Sequence, residues 1–206
     1  MDSHSPFKES FMAIAPQVKE LLLQSLEHER GGVLIYQTAL ACVLNDDLEK
    51  EWQTYRAQTE SHVNILTDTC SALGVDPDEM TPARQIVQQN GKALIVAMKM
   101  ALGANNPTAA QLVACEAVVL AETKDHANWE LIGECAKALD GDAGAALKDA
   151  YARVEDQEDE HLYHTKGWCR ELWLQSLGLK AVLPPPEEKR DVKTAKEAAD
   201  AKEERA

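Results

Sequence analysis

The residue pattern predicts an all-α fold, a four-helix bundle with a helical crossover between its second and third long helices. Three observations carry that prediction. Proline and glycine are sparse, 8 and 10 in 206 residues, and fall where segments end. Between them, apolar residues recur at steps of three and four, the period of a helix with one buried face. A single shorter segment lies in the middle of the chain, flanked by two long segments on each side.

Pro16 opens the first long helix at a position where a missing N–H costs nothing. Its periodic pattern runs to about Leu44, and Asn45-Asp46 ends it. Asp46 with Glu49 forms a capping box for the second helix, which runs to Leu73 and stops at Gly74. Thr81-Pro82 pairs an N-cap with a first-turn proline and opens the middle segment, which ends at Gly103. Asn106-Pro107 repeats the device for a third long helix, to Leu139. Asp140-Gly141-Asp142 reads as a turn, and a last long helix continues to Leu177, before Gly178. At about 1.5 Å per residue, the middle segment is about 30 Å long, enough to travel back along its neighbours. The second and third long helices then run parallel. Residues 1–15 form an N-terminal lead-in and 16–178 the bundle. The remainder, 179–206, has three consecutive prolines and then a charged run, and reads as a flexible tail.

Composition narrows the function. The formal net charge of -14 repels phosphate backbones and argues against nucleic acid as a partner. Five dispersed cysteines (Cys42, Cys70, Cys115, Cys135, Cys169) make no Cys-x-x-Cys pair, which speaks against a zinc ribbon or a disulfide framework. Ala93 to Leu102, the longest apolar stretch, is interrupted by Lys99 and too short to span a membrane. The polar start lacks the apolar core of a secretory signal. A cytoplasmic protein is expected.

Each apolar stripe is interrupted by ionisable residues. The first helix places Glu29 between Leu22 and Tyr36. The second places His62 between Tyr55 and Leu66. The third offers Glu122 with His126 or Asp125, between Cys115 and Trp129. The last offers Glu158 and His161, between Tyr151 and Trp168. All lie near mid-helix, so antiparallel packing brings them to one level, and no Lys or Arg shares their stripes. Burying such carboxylates uncompensated costs several kcal/mol, and neighbouring like charges add to it. Divalent cations resolve both problems. Oxygen and imidazole donors suit iron or manganese.

Glu158-x-x-His161 resembles the carboxylate di-metal signature of the ferritin-like superfamily, which sets one Glu on each of two helices and Glu-x-x-His on each of the other two. Glu29 and Glu122 match the lone glutamates. Tyr36, seven residues after Glu29, is similar to an aromatic of rubrerythrin-like members, as Asp125 is to their extra acidic residue and Trp129 to a further aromatic. The segment around Glu60-Ser61-His62-Val63 resembles the second helix of small ferritin-like stress proteins. The resemblance spans roughly Pro16 to Leu177. It implies two divalent metals, iron or manganese, held by Glu29, His62, Glu122, Glu158 and His161. It implies an oxidoreductase acting on dioxygen, peroxide or ferrous iron in stress protection, with a separate electron donor. Tyr36 is the candidate catalytic side chain, as an electron relay or hydrogen-bond donor beside its core role. A homodimer is a reasonable assembly.

One position departs from the pattern. Thr59 stands where the second helix should carry a glutamate, and Gln58, close in phase, is a poor anionic ligand. Three outcomes stay open: Asp125 or His126 supplies the lost ligand, Glu60 swings in, or the site holds one metal or none. The alternative class is a non-catalytic structural or stress-associated bundle with a degenerate or mononuclear site.

Overall fold

The structure is a computed structural model and describes residues 14–203. Among them the chain is helical throughout, with no strand: α1 (Pro16–Leu40), α2 (Asp46–Ala72), α3 (Pro82–Gly103), α4 (Pro107–Ala138), α5 (Gly141–Ala152), α6 (Glu155–Ser176), α7 (Pro186–Lys189) and α8 (Ala195–Glu203). No described helix is long and apolar enough to cross a membrane, and the five cysteines are free.

Local chemistry sets the helix starts. Asn45, one residue before the expected cap, accepts from the N–H groups of Asp47 and Leu48 at 3.0 and 3.1 Å and begins α2. Thr81 and Asn106 cap α3 and α4 in the same manner, each followed by a first-turn proline. Gly74 and Gly178 take positive φ after α2 and α6, where other residues would be strained.

The core falls into two apolar clusters. One holds Tyr36, Trp52, Tyr55, Cys115, Val118 and Trp168. The other holds Leu22, Leu26, Leu66, Trp129, Ile132 and Leu147. Along the chain, α1 and then α5–α6 pass from the second cluster to the first, whereas α2 and α4 pass from the first to the second. α3 packs against α1 and α4. Its first turn is anchored by Arg84, which is buried. The Arg84 Nε–H donates to Glu27 at 3.0 Å, and its Nη1 donates to the carbonyls of Pro77 and Glu79.

Two segments differ from the sequence expectation. The last long helix is broken at Arg153-Val154, where the N–H groups of both residues reach back only three residues, to Ala150 and Tyr151. α5 starts at Gly141, inside the expected turn. It presses so closely on the end of α4 that a Cβ on Gly144 would sit 1.9 Å from the Leu139 carbonyl oxygen. The second difference is the segment read as a flexible charged tail. In its described part, α7 and α8 are formed, with Val192 and Ala201 buried. The Arg170 guanidinium holds the buried Glu187 carboxylate with two hydrogen bonds, at 2.6 and 2.8 Å. Gly167 makes room for this, since a Cβ there would lie 2.8 Å from Glu187 Oε2.

Arg170→Ala leaves the Glu187 carboxylate buried without its partner. It should cost about 2–3 kcal/mol in denaturant unfolding and open 179–203 to limited proteolysis. A variant as stable and as protease-resistant as wild type would show that this ion pair does not hold the segment down.

Candidate metal centre

Between the two apolar clusters lies a polar layer. Glu29 from α1, His62 from α2, Glu122 and Asp125 from α4, and Glu158 and His161 from α6 are each 3% exposed or less. Helical spacing places them there. Glu29 lies one turn past Leu26 on the face of α1 that continues to Tyr36, and Glu158 and His161, three apart, share one face of α6.

Glu158 is the centre of the arrangement. Its Oε1 is 3.1 Å from His62 Nδ1 and 3.5 Å from His161 Nδ1. His62 Nδ1 is also 3.4 Å from Glu29 Oε1, and His161 Nδ1 is 3.5 Å from Glu122 Oε2. Two groups result, Glu29–His62–Glu158 and Glu122–Glu158–His161, each offering three donor atoms within 4.8 Å of one another. The inward atoms lack hydrogen-bond partners: Nδ1 of both histidines, both Glu158 oxygens, Glu29 Oε2, Glu122 Oε2 and Asp125 Oδ1. Buried polar atoms are rarely left so, and this concentration of orphaned donors and acceptors fits a cation pair.

The outward sides are tied down. His62 Nε2 is 2.8 Å from Gln157 Oε1, and His161 Nε2 is 2.8 Å from Gln58 Oε1. An amide oxygen only accepts, so each Nε2–H donates and each Nδ1 is left as the inward donor atom. The ties cross. Each glutamine lies four residues before one histidine in sequence and bonds the histidine of the other helix. Trp129 donates its indole N–H to Glu29 Oε1 at 2.7 Å. The Tyr55 ring lies 4.2 Å from that of His161, and the Tyr36 ring meets His161 edge-on at 6.2 Å. Tyr36 is buried, and its hydroxyl is held well above the usual phenol range by desolvation and the Glu122 charge.

Protons stand in for cations here. Burial disfavours a charged His62, yet Glu29 and Glu158 outweigh it and raise the ring to about 11. His161 is raised against burial by Glu122 and Glu158. Glu122 is lowered against its own burial by His161. Burial pushes Glu158 up to about 7, with Glu29 adding to the rise and His62 opposing it. Asp125 is pushed well up by burial and then by Glu29, Glu158 and Glu122.

The remaining candidates lie elsewhere. Glu60 is half a helical turn away from His62. It is exposed and paired with Arg56 at 3.1 Å. His126 follows Asp125 by one residue, a turn of about 100°. Asp125 therefore faces the layer, and His126 points away to Asp159 at 2.7 Å. Thr59 faces inward, but its hydroxyl donates to the Tyr55 carbonyl of its own helix at 2.9 Å. Two features had no counterpart in the sequence reading. Gln157 carried no sign of its own beyond the repeated Gln four residues before His. His164 is buried in a second network in which Tyr55 donates to Glu51 at 2.7 Å and lies 2.9 Å from His164 Nδ1.

Comparison with protein-family models, with curated proteins and with solved structures finds no match.

The shifts have a sign that can be measured. Glu158 ionises near 4.5 when unfolded and near 7 when folded. Its burial is therefore harmless below the lower value and costs most above the upper one. His62 contributes stability that is full below 6.5 and is lost as pH climbs towards 11. Both effects weaken the metal-free fold as pH rises. Chelator-treated protein should melt several degrees lower at about pH 9 than at about pH 6, and Glu158→Gln should narrow that gap. Equal melting at both pH values, or a gap untouched by the substitution, would contradict this assignment.

Proposed function

We propose that this chain is a ferritin-like four-helix bundle in which α3 is the crossover, and that its polar layer holds a pair of divalent metal ions, iron or manganese. The proposed activity is oxidoreductase chemistry on dioxygen, peroxide or ferrous iron, in stress protection in the cytoplasm. The observation that carries this reading is the shared Glu158, flanked by two histidines whose Nδ1 atoms face it without hydrogen-bond partners while their Nε2 atoms are tied to glutamines. The opposite directions of α1 and α2 through the core, with α2 and α4 running alike, support the bundle reading.

Glu29 and His62 would serve one metal position and Glu122 and His161 the other, with Glu158 between them. A metal pair held by these residues would supply the redox chemistry for reducing dioxygen or peroxide. The chain's own part is geometric and electrostatic. Gln58 and Gln157 hold the imidazoles in one tautomer, and Trp129 fixes the Glu29 carboxylate. The two apolar clusters exclude bulk water, and Tyr36 sets a phenol beside Glu122. His62, His161 and Glu158 would have to give up their protons to hold a metal, so affinity would rise with pH. Thr59 favours a second reading, a bundle with one metal or none, because the carboxylate expected on α2 is replaced by a hydroxyl turned onto its own backbone.

Elemental analysis of protein purified without chelators separates the two. Under the di-metal reading, wild type carries about two iron or manganese ions per chain and Glu158→Ala loses them. About one ion per chain supports the mononuclear reading. None after anaerobic ferrous loading rejects the di-metal reading and leaves a metal-free helical bundle. Gln157→Leu, which frees His62 to rotate, should weaken metal affinity by about tenfold to a hundredfold in a competitive chelator titration, and unchanged affinity would remove that tie from the site.

A further inference from the structure

A cavity of about 480 Å³ lies where α3 crosses α1 and α4. That volume is within the range, roughly 300–1,000 Å³, of sites that enclose small organic ligands. Its walls are mainly apolar, with Leu34, Ile35, Leu94, Ile95 and Leu120 among them. Leu34 and Leu120 are more than half exposed, so apolar surface continues to solvent.

The charges around this cavity run opposite to those of the chain. Arg30, Lys92 and Lys124 line it, although the formal net charge of the chain is -14. Its carboxylate, Glu27, is already engaged on both oxygens, by Arg84 Nε and by Gln88 Nε2, each at 3.0 Å. Arg30 is already paired with Asp78 at 3.2 Å, whereas the lysines donate to neutral amides, Lys92 to Gln88 at 2.7 Å and Lys124 to Asn128. A second observation is independent of charge. Gly31 is interior to α1, where glycine is unfavourable, yet a Cβ there would meet nothing within 4 Å. Close packing does not require a glycine at this position, and the open space beside it is the cavity.

We propose that this cavity is a binding site for a small amphipathic carboxylate, an apolar tail between α1, α3 and α4 with its anionic head at Lys92 and Lys124. His28 and Ala121 line the same cavity and immediately precede Glu29 and Glu122 in sequence. The ligand would thus lie behind the helix walls that carry two of the buried carboxylates. The site is built from other residues and needs no metal.

Isothermal titration calorimetry of the full chain with decanoate tests this, with 1-decanol and decylamine as neutral and cationic counterparts. Expected is saturable, sub-millimolar binding of one decanoate per chain. Decanol and decylamine should bind at least about tenfold more weakly, and Lys92→Glu should weaken decanoate by a similar factor. Gly31→Leu should abolish binding by filling the space. Ala93→Phe, on α3 and apart from the helices that carry the ligands, gives the same test if Gly31→Leu disturbs α1. Absence of saturation, equal affinity for decanoate and decanol, or decanoate binding that survives both filling variants would overturn the proposal. Repeating the titration on chelator-treated protein separates its outcome from that of the metal reading, since decanoate affinity should not change.

Discussion

Four carboxylates and two imidazoles share one dehydrated layer, and the fold is organised around that constraint. A single uncompensated buried carboxylate costs several kcal/mol, whereas a whole domain is stable by about 5–15 kcal/mol. Glu29, Glu122, Asp125 and Glu158 therefore cannot all be buried as bare anions. Lys124 is the cation that bears on Asp125, and its side chain is exposed and attached to Asn128. Compensation has to come from within the layer, as protons on His62, His161, Glu158 and Asp125, or from bound cations.

The surroundings follow from the same requirement. Apolar clusters seal the layer at both ends, each with tryptophan in it, Trp52 and Trp168 on one side and Trp129 on the other. Trp129 also spends its one polar atom on Glu29, so a large core side chain doubles as a carboxylate anchor. The crossed glutamine ties couple α2 to α6 through both histidines. Direct packing between those two helices is otherwise sparse, so part of their registration rests on these polar contacts. α5 and α6 meet at the break, with Leu147 and Ala150 of α5 in the second cluster. Beyond it, α6 buries Glu158 and His161.

The described tail and α3 extend this core outward. Glu187 reaches Arg170 across a surface that Gly167 leaves bare. α3 buries little of its length, with Arg84 and Met98 its fully covered residues, and rests on α1 and α4 over the glycine-lined cavity. The polar layer and this cavity lie on opposite sides of the same helix walls. Changes in α1 or α4 can therefore be felt by both.

Residues alone indicated helical elements within a few positions, because caps and glycines act locally: Thr81-Pro82 and Asn106-Pro107 began helices as read. They also singled out Glu29, His62, Glu122, Glu158 and His161, because a charged residue on an otherwise apolar stripe is conspicuous at helical period. Asp125 and His126 could not be told apart, since they differ by one step on the helix and only packing decides which one faces inward. Gln157 and His164 were invisible for a related reason. Their importance lies in the partner each meets across the core, His62 and Tyr55, about a hundred residues away in sequence. The docking of 179–203 was equally hidden, because it rests on Glu187 meeting Arg170 over Gly167, a contact between segments and not a local propensity. Periodicity and capping are properties of neighbouring residues and can be read along the chain. Which nitrogen of a histidine is held, which acid is buried and where space is left between helices depend on distances between segments, which only the folded chain sets.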